Sequence, residues 1–222
     1  MLIGGLLKFS LIDYPGKVAA VVFTQGCNYR CPFCHNPELV LPESFNTPIP
    51  VEDVMAFLAQ RRGQLQGVVI TGGEPTLHDD LKDVIRRIKA MGFLVKLDTN
   101  GSRPDMLVDI LNEKLVDLVA MDIKSSLQGY CKATGVKADL ECVKRSIALI
   151  KASGVAHLFR TTVLRGIVSE ENVHQIKALL EGTKNYKLQR GNLNGRVLNR
   201  DILDGPGEYS DMEWERLKGL VF

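Results

Sequence analysis

Three cysteines stand close together near the amino terminus and form a CxxxCxxC pattern. They are Cys27, Cys31 and Cys34, and they follow the apolar run Val18–Phe23. Thiolates this close in one loop can converge on one metal centre, but a 4Fe–4S cluster normally takes four cysteines. A set of three leaves one iron free to bind another group, as catalytic metals keep an open position. The pattern therefore predicts an iron–sulfur centre with an open coordination site.

Zinc is the alternative that the same segment leaves open. A Cys3His set is an ordinary zinc site, and His35 would be the fourth ligand. Cys34 and His35 are adjacent, so both side chains would have to turn toward one ion, which is an awkward geometry. A zinc-stabilised binding protein without catalysis is therefore the competing interpretation.

Composition narrows the class of protein. The chain has 222 residues, a net charge of +2 and an ordinary charged fraction of 24%, which favour one globular domain without a nucleic-acid surface. Its five cysteines favour metal or redox chemistry in a reducing compartment over a disulfide framework. The first residues fit neither a signal peptide nor a membrane span. We expect a single cytoplasmic domain over residues 1–222, with no membrane partner.

Strand-like runs alternate with helix-period segments along the chain. The predicted strands are Val18–Phe23, Val68–Ile70, Phe93–Leu97, Leu115–Met121, Leu158–Leu164 and Tyr186–Gln189. Helices are predicted around residues 51–60, 81–88, 106–111, 143–150 and 173–180. This alternation predicts a parallel sheet with helical crossovers, either doubly wound or an incomplete barrel. Residues 1–16 are expected to form a cover segment, and residues 190–222 a surface loop and a final helix near Met212–Leu220.

Polar and glycine-rich motifs follow these strands in turn. After the cysteines come Thr71–Pro75, Asp98–Gly101 and Asp122–Lys124, and the fifth strand contains Arg160–Thr162. The carboxyl ends of parallel strands meet at one rim, where β/α enzymes build their active sites. We therefore expect these motifs to surround one site.

The Gly72–Pro75 segment has two interpretations. Its composition is good turn chemistry. Alternatively, Gly72 and Gly73 lack a Cβ and so let a ligand approach the backbone closely. Glu74 would then accept a hydrogen bond from a cationic group such as an amine.

The charged residues at the later strands also have structural interpretations. Asp98 and Thr99 would cap the following helix, and Asp122 and Lys124 would form a solvated ion pair. Arg160 lies inside an otherwise apolar strand, where a buried guanidinium needs an anionic or carbonyl partner.

Taken together, the motifs resemble a known family. The cysteine loop with Phe33 before its last cysteine, followed by Gly-Gly-Glu-Pro, resembles the radical S-adenosylmethionine enzymes. More narrowly, Phe9–Gly16, Phe23–Cys27 and Cys34–Glu38 are similar to glycyl-radical-enzyme activating proteins, above all those of the anaerobic ribonucleoside-triphosphate reductase. The resemblance covers roughly residues 8 to 162.

The resemblance implies an α/β fold, an incomplete (β/α)6 TIM-like barrel with parallel strands and helices outside. The three cysteines would hold three irons of a 4Fe–4S cluster, and S-adenosylmethionine would bind the fourth. The residues that would contact this cofactor are Phe33, His35, Gly72, Gly73, Glu74, Pro75, Asp98, Asp122, Lys124 and Arg160. Oxygen ligands suit a hard monovalent cation beside the methionine carboxylate. The residues that would bind it are Asp98, Thr99 and Asp122.

The implied activity is reductive cleavage of S-adenosylmethionine to a 5′-deoxyadenosyl radical, which takes hydrogen from a glycine of a partner enzyme. Anaerobic ribonucleotide reductase is the expected partner, and a flavodoxin- or ferredoxin-type protein the expected electron donor. Asp13–Gly16 is expected to close the open side of the barrel. A histidine that contacts the cofactor in the pyruvate formate-lyase activator is missing, because that region reads Leu188–Arg190.

A radical enzyme acting on a small molecule is the remaining alternative, with 7-carboxy-7-deazaguanine synthase as the example. The cysteine loop would look the same in such an enzyme. The segments Asp13–Gly16 and His35-Asn36 favour the activating proteins instead.

Overall fold

The computed structural model describes residues 1–203 and 207–221 of the chain. Its described residues form one sheet with the strands in chain order. The strands are β1 (Ile3–Ser10), β2 (Ala19–Thr24), β3 (Gly67–Gly72), β4 (Leu94–Thr99), β5 (Leu118–Asp122), β6 (Ala156–Val163) and β7 (Tyr186–Arg190). The α-helices are α1 (Val51–Gln60), α2 (Leu81–Ala90), α3 (Pro104–Asn112), α4 (Tyr130–Thr134), α5 (Leu140–Ala152), α6 (Glu170–Leu179) and α7 (Asp211–Gly219).

The sheet is an incomplete barrel. Strands β2 to β7 pair in parallel, and β1 pairs antiparallel with β2. The order β1 to β7 does not return to its start, so one side of the barrel stays open. Helices lie between successive parallel strands, because a parallel pair needs a crossover connection. The predicted incomplete (β/α)6 barrel is confirmed.

The main core lies between the sheet and the surrounding helices. In α2, the four residues Leu81, Val84, Ile85 and Ile88 recur at helical spacing, and all four are buried in this core. The central strands are nearly continuous apolar runs because parallel strands are covered on both faces. The core thus fixes the strands whose carboxyl ends carry the polar motifs.

The inner face of the sheet carries a second, smaller apolar cluster around Tyr14. The ring packs with Val21 and Val69, and a Cβ on Gly67, the first residue of β3, would lie 2.9 Å from it. Tyr14 therefore fills the barrel at the amino ends of the strands. The expectation that Asp13–Gly16 closes the open side of the barrel is wrong, because this ring plugs the end opposite the polar motifs.

Strand β1 is the element that the hydropathy pattern does not reveal. It is an edge strand with two adjacent glycines and three consecutive exposed residues, so it lacks the apolar run of a buried strand. A Cβ on Gly4 would lie 2.5 Å from a methyl carbon of Leu39, so a side chain there would displace the segment after the cysteines. The predicted cover segment 1–16 is thus partly a strand that extends the sheet.

The segment after β7 differs from the predicted surface loop over Arg190–Tyr209. Leu193 and Leu203 are buried in the main core, so the segment is anchored at two points. The predicted final helix is present as α7. Residues 204–206 and Phe222, which also belong to the predicted stretch, lie outside the described residues. None of the helices in the described part of the chain has the length and hydrophobicity that crossing a membrane requires.

Candidate active site at the carboxyl ends of the strands

A cavity of about 220 Å³ opens at the carboxyl ends of the strands. The predicted residues that line it are Cys27, Cys31, Phe33, Cys34, His35, Gly72, Gly73, Glu74, Asp98, Thr99, Asp122 and Lys124. Two predicted residues lie behind its wall. Pro75 is buried at the start of a short 3-10 helix, and Arg160 reaches the carboxylates of the wall from β6. The motifs of five strands therefore do surround one site.

The cysteine loop is held in place by backbone hydrogen bonds to other segments. Gly26 donates its N–H to the carbonyl of Leu39 at 2.8 Å and accepts one from Glu74 at 2.8 Å. Arg30 donates its N–H to the carbonyl of Thr134, at the end of α4, at 2.7 Å. A loop fixed at its start and in its middle presents its thiols in a defined arrangement, as a preorganised site requires.

The two glycines after β3 are needed for this packing. A Cβ on Gly73 would lie 2.0 Å from the carbonyl oxygen of Gly26, and one on Gly72 would lie 2.4 Å from the backbone nitrogen of Thr24. Gly72 also has a φ of +113°, a conformation that favours glycine. The missing Cβ atoms therefore admit the chain's own backbone. Both glycines also line the cavity, so the interpretation that they let a ligand approach the backbone stays a prediction.

The three thiols are buried enough to hold their protons in the free protein. Burial raises the pKa of Cys27 to about 12 and that of Cys31 to about 11, although Lys124 acts to lower the latter. Burial also raises the pKa of Cys34. Metal binding needs thiolates, so the positive charge of a bound metal must drive off these protons.

The donor geometry bears on the choice between zinc and a cluster. Across residues 1–203 and 207–221, no three or more His, Cys, Asp or Glu side chains converge on a position for a single metal ion. A tetrahedral zinc ion would need such convergence. In a 4Fe–4S cluster, by contrast, each thiolate binds a separate iron, so the thiols need only line the same cavity.

The Glu74 side chain links the carboxyl ends of β3 and β4 by hydrogen bonds. Its side chain is 1% exposed, and burial raises its pKa, against the opposing effect of its hydrogen bonds. The Oε1 atom accepts hydrogen bonds from the Thr76 N–H at 3.1 Å, the Thr76 hydroxyl and the Thr99 hydroxyl at 2.8 Å. The Oε2 atom accepts one from the Asn100 N–H at 2.6 Å. A carboxylate oxygen has two lone pairs, so only Oε2 retains capacity for a ligand amine.

Five charged side chains of alternating sign form one continuous row of ion pairs across β4, β5 and β6. We call this row the charged chain. Lys96 contacts Asp98 at 2.5 Å, Arg160 contacts Asp98 at 3.4 Å and Asp122 at 2.8 Å, and Lys124 contacts Asp122 at 3.1 Å. The anionic partner that a buried Arg160 needs is thus present. Three cations against two anions leave one net positive charge at the base of the cavity.

The charged chain keeps Asp122 and Lys124 ionised. Burial alone would raise the pKa of Asp122, but Arg160 and Lys124 outweigh it and lower that pKa to about 2. Burial acts to lower the pKa of Lys124, but Asp122 outweighs it and the pKa is raised. The simple solvated pair of Asp122 and Lys124 is therefore the wrong interpretation, because both belong to a larger, mostly buried set. Neither Asp98 nor Thr99 caps α3, whose preceding residue is Arg103.

Six residues of the cavity wall were not predicted to contact the cofactor or a metal, although Thr71, Asn100 and Thr162 belong to motifs that were expected to surround the site. The six are Tyr29, Asn36, Val40, Thr71, Asn100 and Thr162. Strand alternation is the signal for two of them, because Thr71 and Thr162 are two residues beyond inward-facing Val69 and Arg160. Tyr29 carries no such signal, since it lies in the cysteine loop. Its hydroxyl group is buried at the cavity without a hydrogen-bond partner among the described residues.

The profile of the Radical SAM superfamily matches residues 21–181. This stretch contains every residue of the cavity wall. The chain belongs to the radical SAM superfamily. It is therefore a radical SAM enzyme, as its cysteine loop predicts.

Relatives extend the comparison over most of the chain. A putative glycyl-radical enzyme activating enzyme from Methanocaldococcus jannaschii is 33% identical over 196 residues, which are 85% of this chain and 79% of that one. The pyruvate formate-lyase-activating enzyme of Clostridium pasteurianum is 28% identical over 188 residues, 81% of this chain and 76% of that one. The solved structure of Streptococcus suis SuiB bound to S-adenosylmethionine shares the fold, with a TM-score of 0.70 and 16% identity over 90% of this chain and 46% of that one.

Radical SAM membership implies a 4Fe–4S cluster and S-adenosylmethionine, and the residues present fit both groups. Three thiols line the cavity and no fourth cysteine is among its described wall residues, since Cys131 lies exposed in α4 and Cys142 in α5. The unpartnered Tyr29 hydroxyl and the Lys124 ammonium group in the cavity wall are suited to a polar, carboxylate-bearing ligand.

Proposed function

We propose that this radical SAM enzyme activates a glycyl radical enzyme. When bound, the cluster and S-adenosylmethionine supply the chemistry, which is reductive cleavage to a 5′-deoxyadenosyl radical that takes hydrogen from a glycine of the partner. The observation that carries the proposal is the wall of three cysteines, Cys27, Cys31 and Cys34, without a fourth among the described wall residues. The similarity to activating enzymes over 85% of the chain supports it.

Each part of the cavity wall has a task in this proposal. The three thiolates would hold the cluster and leave one iron for the cofactor. Lys124, at the cavity end of the charged chain, would attract the cofactor's carboxylate. Glu74 Oε2, which retains a lone pair, would accept a hydrogen bond from the amine. The hydroxyl of Tyr29 would donate to a ligand oxygen, which would satisfy its unpaired donor.

The open side of the barrel supports a large substrate. Strand β1 at this side exposes 44% of Leu7 and 57% of Phe9, and Leu2, which precedes β1 at the end nearest the cysteine loop, is 46% exposed. A cluster of exposed apolar residues is typical of protein–protein interaction sites. A small-molecule enzyme has no need of such a surface. We propose that the partner enzyme contacts this side and presents its glycine to the cavity.

The finer assignments rest on the resemblance. We propose anaerobic ribonucleotide reductase as the partner, a flavodoxin- or ferredoxin-type protein as the electron donor, and the cytoplasm as the location. The monovalent cation is the assignment with the least support. Asp98 and Asp122 already pair with Lys96, Arg160 and Lys124, so a cation there would have to displace one of these partners.

The experiment is anaerobic reconstitution of the cluster followed by incubation with S-adenosylmethionine, a reductant and candidate glycyl radical enzymes. We expect a glycine-centred signal by paramagnetic resonance only with the correct partner. Cofactor cleavage without any such signal, and strongly stimulated by a pterin-like small molecule, would select the alternative radical enzyme. Purified protein with zinc and no iron would select the binding protein.

A further inference from the structure

A segment after β7 is bonded to the cysteine loop, and we call residues 193–202 the covering segment. Leu198 donates its backbone N–H to the carbonyl of Cys34 at 3.0 Å, and Asn199 donates its own to the carbonyl of Pro32 at 2.9 Å. Buried Leu193 starts the covering segment and buried Leu203 follows it, so both ends are fixed. The covering segment is thus part of the protein surface nearest to the third cysteine.

The covering segment carries cations that the protein does not use. Arg196 and Arg200 flank the two donor residues and are exposed. Neither guanidinium has a carboxylate partner among the described residues. Most arginines elsewhere in the described chain do pair with a carboxylate, including Arg86, Arg87, Arg165 and Arg216. Unpaired arginines at a surface are available to a binding partner.

The residues around the covering segment also carry more positive than negative charges. Arg30 lies within the cysteine loop, and exposed Lys137 follows Gly135, whose Cβ position is 2.2 Å from the Arg30 carbonyl oxygen. The opposing acidic residues are Glu38 near Cys34, Asp201 in the covering segment, and Glu208, whose carboxylate accepts a hydrogen bond from the Leu193 N–H at 2.8 Å. Ile202 adds an apolar side chain that is 44% exposed. Four cations against three anions, with the Arg196 and Arg200 guanidinium groups exposed beside an apolar side chain, are suited to an acidic protein surface.

We infer that the covering segment docks an acidic one-electron carrier protein and receives the electron for the cluster. In this step the carrier loses one electron and the oxidised cluster gains it, and no covalent bond forms or breaks. The inference rests on the proposed function, which needs such a donor. Electron transfer weakens steeply with distance, and the hydrogen bond from Leu198 to Cys34 leads directly to a cluster ligand.

The covering segment is separate from the surface assigned to the partner enzyme. That surface is the open side near β1, whereas the covering segment contacts Pro32 and Cys34 on the cysteine loop. A carrier docked on the covering segment would contact residues other than those assigned to the partner enzyme. Reduction and hydrogen abstraction would then not compete for the same contacts.

The test measures binding of oxidised flavodoxin, an acidic carrier, to the cluster-loaded protein by fluorescence anisotropy at several salt concentrations. The double variant R196E/R200E is expected to lower the affinity at least tenfold at low ionic strength and to flatten its salt dependence. The matched control is K114E/K184E, which makes the same change of charge at exposed lysines in the turns before β5 and β7. This control is expected to change the affinity less than twofold.

Activity then separates this inference from the proposed function. With dithionite, a small reductant that needs no docking, R196E/R200E should cleave S-adenosylmethionine as the wild type does, while flavodoxin-driven cleavage falls at least tenfold. The milder R196Q/R200Q variant should show flavodoxin-driven cleavage between that of the wild type and that of R196E/R200E. An intermediate loss of this kind guards against a folding defect as the cause. Flavodoxin binding that is unchanged in R196E/R200E would overturn the inference. An equal loss of affinity in R196E/R200E and in the control K114E/K184E would overturn it as well. So would a loss confined to hydrogen abstraction from the partner enzyme, whereas a wild type inactive with dithionite would refute the proposed function itself.

Discussion

The backbone N–H of Glu74 donates to the carbonyl oxygen of Gly26 at 2.8 Å. This hydrogen bond joins the end of β3 to the residue before the first cysteine. The close approach leaves no room for a Cβ on Gly73, which would lie 2.0 Å from the same oxygen. The glycine motif and the cysteine loop are therefore one structural unit, and the thiols depend on it for their position.

Gly73→Ala is expected to disturb cluster loading. The added methyl group forces the cysteine loop away from β3, and overpacking of this kind costs about 1–3 kcal/mol. We expect reduced iron and sulfide content after anaerobic reconstitution and a lower midpoint of urea unfolding. Gly219→Ala is the control, because a Cβ there meets nothing within 4 Å. A Gly73→Ala protein that loads as much iron as the wild type would show that the loop does not depend on this contact.

Asp122→Asn is expected to destabilise the protein in a pH-dependent way. The substitution leaves Arg160 and Lys124 without their shared anion, which should cost about 2–4 kcal/mol at pH 7. The pKa of Asp122 is about 2, below its value in an unfolded chain, so its contribution is present above about pH 4. The contribution is lost as the pH falls toward 2.

Urea unfolding measured from pH 7 to pH 3 checks whether the stability contributed by Asp122 falls as the pH falls. The gap in stability between the wild type and Asp122→Asn should stay constant down to about pH 5 and then narrow. Asp79→Asn, at an exposed carboxylate, should change stability by less than about 0.5 kcal/mol. A gap that widened toward acid pH would mean that Asp122 is not held ionised by its cations.

Leu2→Asp is expected to impair activation of the partner and nothing else, because Leu2 is exposed at the cavity end of β1. A charge on the exposed apolar side of the barrel should weaken docking, because it would have to be desolvated at an apolar interface. Hydrogen abstraction from the partner should fall at least tenfold, while cleavage of S-adenosylmethionine alone stays within twofold. Met212→Asp, at a side chain 83% exposed on α7, is the matched control. Equal losses in both variants would argue against a specific surface.

The sequence predicts the fold and the centre of the site because their signals are local. Strand and helix periods are read within a few residues of each other, and the cysteine spacing is contained in one loop. The parts that could not be predicted depend on contacts between distant segments. The amide of Leu198 meets the carbonyl of Cys34, and a Cβ on Gly73 would meet Gly26, but neither sequence segment indicates its partner.

One edge strand and one buried arginine also show that local sequence does not reveal contacts between distant segments. Strand β1 has only one neighbouring strand and exposes three consecutive residues, so its sequence lacks the apolar run by which buried strands are recognised. Arg160 could be assigned an anionic partner from its burial alone, since a buried guanidinium must be paired. That the partners are Asp98 and Asp122, and that Lys96 completes the charged chain, follows only from the register of β4, β5 and β6.

Cys31→Ala is expected to abolish both the cluster absorbance and the cleavage of S-adenosylmethionine. Cys31 lies between the other two ligands, and two thiolates cannot hold three irons. Cys142→Ala, outside the cavity wall, should keep both properties. Absorbance spectra and methionine release, measured under anaerobic conditions, check the two variants side by side. Reductive cleavage that persists in Cys31→Ala would contradict the assignment of the site.

The central claim is that three protein thiolates hold a cluster whose fourth iron is open to the cofactor. Electron–nuclear double resonance of the reduced cluster tests it most directly, with S-adenosylmethionine labelled by nitrogen-15 in its amine and oxygen-17 in its carboxylate. We predict hyperfine coupling from both labels to the cluster. A cluster that shows neither coupling, with a side chain of the protein on the fourth iron, would contradict the claim.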